Sequence, residues 1–135
     1  MTGTSNANIA AEVMRLAEPI GDFKPVATYD PDGDCIEFLA KPDAFYAERV
    51  DDLVTVYYSQ ETNQVIGSLI KGVHGFMAQH PGLKVDIQDG RMRLVHLFRA
   101  KVWNKTNPQS VEVRTYRKLI EVAQEASVEA DLVGA

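Results

Sequence analysis

Val26-Ala-Thr-Tyr-Asp30, Pro31-Asp-Gly-Asp34 and Cys35-Ile-Glu-Phe-Leu39 form the stretch that decides the fold class. Two runs rich in β-branched and aromatic residues flank a cluster in which proline presets φ and glycine supplies a positive φ, the pattern of a β-hairpin. The same pattern recurs downstream. Leu53-Val-Thr-Val-Tyr-Tyr58 and Val65-Ile-Gly-Ser-Leu-Ile70 enclose the polar loop Ser59-Gln-Glu-Thr-Asn-Gln64 and predict a second hairpin. Tyr46 to Val50 adds an edge strand, and Gly67, inside a strand pattern, marks a bulge.

Further along, Val73 to His80 carries Phe76, Met77 and Ala78 and stops at Pro81-Gly82, which predicts a short helix. Asp89-Gly90 then favours a two-residue turn whose twist suits a hairpin. The expected ladder joins Lys84–Gln88 to Arg91–Val95, with Ile87 beside Met92 and Asp86 facing Arg93.

The period changes after this point. Met92, Leu94, Phe98, Ala100 and Val102 alternate as in a strand, yet Leu94, Val95, Phe98 and Val102 also share a helical face; the preferred reading is a helix from about His96 to Asn104. From Ser110, Val113, Tyr116, Leu119, Ile120, Ala123 and Ala126 recur at helical spacing. At the other end, residues 1 to 8 read as a flexible tail, and Asn8 caps a helix carrying Ile9, Val13 and Leu16 that ends before Pro19 and Gly21. Hairpins with helices at both ends define an α+β domain, residues 1 to 135, in which helices pack on one face of an antiparallel sheet.

Tyr29-Asp30 and Asp34, followed by Cys35–Leu39, resemble a family of small bacterial proteins of unknown function in which a Tyr-Asp-x-x-x-Asp hairpin opens a compact antiparallel sheet. The second hairpin, with Gly67 at a recurring glycine, is similar too, so that the resemblance spans about residues 26 to 73. It implies a sheet domain and supplies no catalytic residue.

Charge is unevenly spread. The net charge of −5 divides into 6 basic and 14 acidic groups over residues 1 to 90, against 8 basic and 5 acidic groups beyond them. All eight of the latter basic residues lie between Arg91 and Lys118, among Phe98, Trp103 and Tyr116. Such a set offers phosphate contacts and stacking platforms, and Arg99, Lys101, Lys105, Arg114 and Lys118 are the candidate anion-binding residues for a nucleic acid or an anionic ligand. The competing expectation is a solvated, internally paired face, with Arg117 meeting Glu121.

The remaining candidates for chemistry fail on spacing. Counting Asp30 as the first position of a calcium loop puts Cys35 where glycine is needed and Lys41 where glutamate is needed. His74, His80 and His96 lack the i, i+4 order of a zinc helix, and Gly67-Ser-Leu-Ile-Lys-Gly72 lacks the Lys-Ser/Thr pair of a phosphate loop. Cys35 reads as a small apolar group in a strand rather than as a nucleophile. A lone cysteine forms no intrachain disulfide, and the absence of a leader pattern or a long apolar run predicts cytoplasmic residence without a membrane span. No catalytic residue, metal site or cofactor is expected. The reading favoured by the sequence is a non-catalytic protein-interaction or self-associating module, with the Val113–Ala123 stripe as an apolar face that one small sheet leaves partly uncovered.

Overall fold

The computed structural model of the chain describes residues 23–132, except 104, 106 and 108; the expected tail and first helix lie outside them. In chain order the elements are β1 (Val26–Asp30), β2 (Cys35–Leu39), β3 (Phe45–Arg49), β4 (Val54–Ser59), β5 (Val65–Lys71) and α1 (Val73–Gln79). A 3-10 helix (Pro81–Asp86), β6 (Arg91–Arg93), α2 (Leu94–Trp103), α3 (Val111–Ala126) and β7 (Glu129–Asp131) complete them. The first five strands form one antiparallel sheet in the order β1-β2-β5-β4-β3, so the two expected hairpins and the edge strand are present and β2 closes on β5. The class is α+β.

Period-two alternation buries one face of the sheet. Ile36 and Phe38 of β2, Val54 and Val56 of β4, and Ile70 of β5 have almost no exposure, and the ladder sets Ile36 opposite Ile70 and Val54 opposite Ile70. The helices cover that face: the ring centroid of Phe98 in α2 lies 6.5 Å from those of both Phe38 and Tyr116. Val113, Tyr116, Leu119 and Ala123 of α3 are buried in the same core, and Ile120 is half-buried against it. This corrects the expectation of an uncovered stripe: the apolar face of α3 is consumed within the chain.

Gly67 explains the close approach of β2 and β5. A Cβ at this position would stand 2.1 Å from the Phe38 carbonyl oxygen, so only glycine lets the two backbones meet. The neighbouring ladder also slips here, with Tyr57 opposite Gly67 but Tyr58 opposite Val65, which is the expected bulge.

The third hairpin is the main correction. Asp89 and Gly90 do adopt φ of 55° and 78°, and Gln88 and Arg91 exchange both backbone hydrogen bonds, as a two-residue turn requires. The ladder stops there. Pro81 starts a 3-10 helix that takes up residues 81 to 86, and β6 pairs instead with β7, setting Met92 opposite Ala130 and Arg93 opposite Glu129. That pairing buries Met92 and Ala130 together, and Asp86 faces His96 at 3.8 Å rather than Arg93. Helix α2 starts at Leu94, two residues before the expected His96, because the Leu94 amide is already held by the Val128 carbonyl.

Candidate functional site

Two helices and one sheet turn gather two lysines of the basic region, Lys101 and Lys105. Ser110 caps α3, its side chain accepting from the Val113 amide at 3.2 Å, and this fixes where Glu112 and Tyr116 project. On the sheet side Asp51 sits in the turn between β3 and β4, and its Oδ1 accepts from the Leu53 and Val54 amides at 2.9 and 3.0 Å. Its Oδ2 then faces the helices. The Tyr116 hydroxyl donates to it at 2.6 Å, and the Lys101 and Lys105 ammonium groups stand 3.1 and 3.5 Å away. Lys105 also donates to Glu112 at 2.8 Å.

Burial acts to raise the Asp51 pKa, but the Tyr116 hydroxyl, the Leu53 amide and the Lys101 ammonium outweigh it and hold the carboxyl down at about 2. Burial, with the Asp51 carboxylate beside it, pushes the Tyr116 phenol upward. The hydrogen bond to Glu112 raises Lys105. A carboxylate so weakly basic is a poor general base at neutral pH, and an ammonium held more firmly protonated is a poor nucleophile. The cluster is therefore a clasp between the sheet turn and two helices, with its charges already matched.

This arrangement divides the five candidate anion-binding residues. Lys101 and Lys105 are engaged by Asp51 and Glu112, each over the face of an aromatic ring, Lys101 5.5 Å from the Phe76 centroid and Lys105 6.0 Å from that of Tyr116. Lys118 lies on the surface 3.6 Å from Glu121, a partner expected for Arg117. Arg99 and Arg114 are exposed and make no ion pair among the described residues. The five are not brought to one site. Beside Arg99, at the i, i+4 position of α2, stands Trp103, which is 87% exposed. Exposure of this size is unusual for a side chain that normally buries a large apolar area. The sequence marked Trp103 as aromatic company for the basic set; helix phase alone did not say that it would point outward.

The other chemistry-bearing side chains are occupied in the fold. Asp34, in a left-handed conformation at φ 51°, accepts from the Tyr29 hydroxyl at 2.9 Å and from the His74 amide at 3.0 Å, so the Tyr-Asp-x-x-x-Asp spacing ties the first hairpin to the start of α1. Asp30 accepts from the Asp32 amide. Burial, and then Asp30 and Glu37, push the half-buried Cys35 thiol upward, away from thiolate reactivity. The His80 ring packs on Phe76 with 4.3 Å between centroids. Among the described residues no group of three or more His, Cys, Asp or Glu side chains is placed to hold a metal ion, and no helix is long and apolar enough to cross a membrane.

Asp51 is the residue that sequence reasoning missed. Its only local signal is an aspartate two and three residues ahead of the amides that open β4, a pattern shared by ordinary turns. Its partners on α2 and α3 are distant in sequence. Compared with protein-family models, with curated proteins and with solved structures, the chain matches none.

Proposed function

We propose that the protein is a non-catalytic protein-interaction module whose docking surface is the exposed end of α2. The observation that carries this reading is Trp103, 87% exposed on the same helical face as Arg99, which makes no ion pair among the described residues. Trp and Arg are the side chains most enriched among residues that dominate binding energy, because each offers a large contact area with a directional polar group. The partner suited to this face is a protein segment with apolar and acidic side chains, an aromatic or aliphatic group against the indole and a carboxylate against the guanidinium. The resemblance over residues 26 to 73 belongs to the same proposal, since it implies a sheet scaffold and brings no catalytic group. Cytoplasmic residence belongs to it as well, supported by a single cysteine that lies half-buried in a strand.

A photo-crosslinking residue at position 99, introduced into the full chain in its native cell, tests the proposal. The expected result is a dominant protein adduct whose purified partner binds the wild-type chain at least about thirtyfold more tightly than Trp103→Ala, the cost of a central anchor. Equal binding of the two overturns the reading. A second reading, an anionic ligand or single-stranded nucleic acid, is favoured by the same indole and by the exposed Arg99 and Arg114, which make no ion pair among the described residues. Retention on single-stranded DNA at low salt, lost steeply as salt rises and lost with Trp103→Ala, would replace the protein partner by that ligand.

A further inference from the structure

Strand β3 ends the five-stranded sheet, and no strand among the described residues pairs with its outer side. The hydrogen bonds from the Gln60 amide to the Ala44 carbonyl and from the Val50 amide to the Val54 carbonyl fix its phase. Ala44, Tyr46, Glu48 and Val50 therefore direct their backbone groups toward β4, and Phe45, Ala47 and Arg49 direct theirs away from the sheet. The Phe45 carbonyl is engaged by the Gln60 side chain at 3.3 Å, which leaves the Phe45 amide and the backbone groups of Ala47 and Arg49 open among the described residues. No proline, lysine or bulge interrupts Phe45–Arg49, and its two charges, Glu48 and Arg49, are of opposite sign.

We propose that two copies of the chain join through this edge, β3 against β3, in an antiparallel pair centred on Ala47. The register is self-complementary. A two-fold axis at Ala47 sets Ala47 opposite its own copy, where only two methyl groups meet, and sets Tyr46 opposite Glu48 and Phe45 opposite Arg49. No like charges stand directly opposite one another, and the guanidinium of Arg49 meets an aromatic ring. A one-residue slip in either direction brings the edge-facing groups of one copy against the inward-facing groups of the other, so the backbone selects this phase.

The side chains agree with the backbone. Four large apolar side chains are exposed among the described residues, and two of them, Tyr46 at 38% and Val111 at 69%, flank this edge. On the helix side a groove of about 100 Å³ runs between Glu48, Val56, Tyr58, Val111 and Thr115. In the paired arrangement the second copy's tyrosine lies beside Glu48 at the mouth of that groove, covering Val111. The proposal rests on the β3 edge and not on Trp103.

Sedimentation of the full chain over a wide concentration range tests it. Wild type is expected to convert from monomer to dimer as concentration rises, because a five-residue edge supports only modest affinity. Ala47→Pro removes the outward amide without touching a bond to β4, and Ala47→Lys sets two ammonium groups against each other at the axis. Each is expected to weaken the dimer by about tenfold or more while circular dichroism stays that of wild type. Should the proline variant fail to fold, the lysine variant decides. A wild-type chain that remains monomeric throughout, or a dimer unchanged by Ala47→Lys, overturns the proposal.

Discussion

The Tyr116 hydroxyl donates to the Asp51 carboxylate at 2.6 Å across 65 positions of sequence, and this bond joins the middle of α3 to the turn that opens β4. Tyr116 is fully buried, so its ring belongs to the core and its hydroxyl to the clasp. Tyr116→Phe keeps the ring and deletes the bond to an ionised acceptor. The expected cost is about 1.5–3 kcal/mol in urea unfolding, accompanied by a rise in the Asp51 pKa followed by carboxyl NMR shifts.

Acid should loosen the same clasp. Asp51 is held at about 2 in the folded chain against an ordinary value of 3.8, so the unfolded chain takes up the proton first as pH falls. The stabilisation, about 2 kcal/mol, is complete above about pH 5 and is lost on descending through pH 2. Asp51→Asn should abolish this increment: its deficit relative to wild type is constant from pH 5 to 7 and shrinks toward pH 2. A deficit independent of pH down to 2 would contradict the assignment.

Ser68 lies on the core face of the central strand β5, opposite Phe38 and Val56, with no exposure and no hydrogen-bond partner for its hydroxyl among the described residues. A buried hydroxyl left unpaired costs about 1–3 kcal/mol, whereas the void left by removing one oxygen is small. Ser68→Ala is expected to leave stability unchanged or raise it by up to about 1 kcal/mol in thermal or urea unfolding.

Gly67 behaves in the opposite way. Because a Cβ would meet the Phe38 carbonyl, Gly67→Ala has to separate β2 from β5. The expected loss is about 3 kcal/mol, with faster exchange of the β2 and β5 amides in hydrogen-exchange NMR than of those in α3.

Sequence patterns were legible where the interaction is local. The two hairpins, the edge strand, shifted by one residue to Phe45–Arg49, and the helix at 73 to 79 follow from turn chemistry and apolar period. The failure after Asp89-Gly90 has a physical cause. The turn satisfied its local rule, but Met92 and Leu94 found burial against the chain's last segment, where Glu129-Ala-Asp131 holds a single apolar residue and gives no strand signal. The candidate site divided likewise. The basic residues could be counted, but which of them Asp51 would neutralise depended on the β4 turn meeting two helices far along the chain.

The pairing of β6 with β7 orders events during synthesis. β1 to β5 find all their strand partners within residues 26 to 71, whereas Arg91–Arg93 has no strand to join until Glu129–Asp131 emerges. Ala130→Asp should therefore expose the 91–93 segment to protease around Met92 before the five-stranded sheet is cut, so that a short downstream strand acts as the latch for one made well before it.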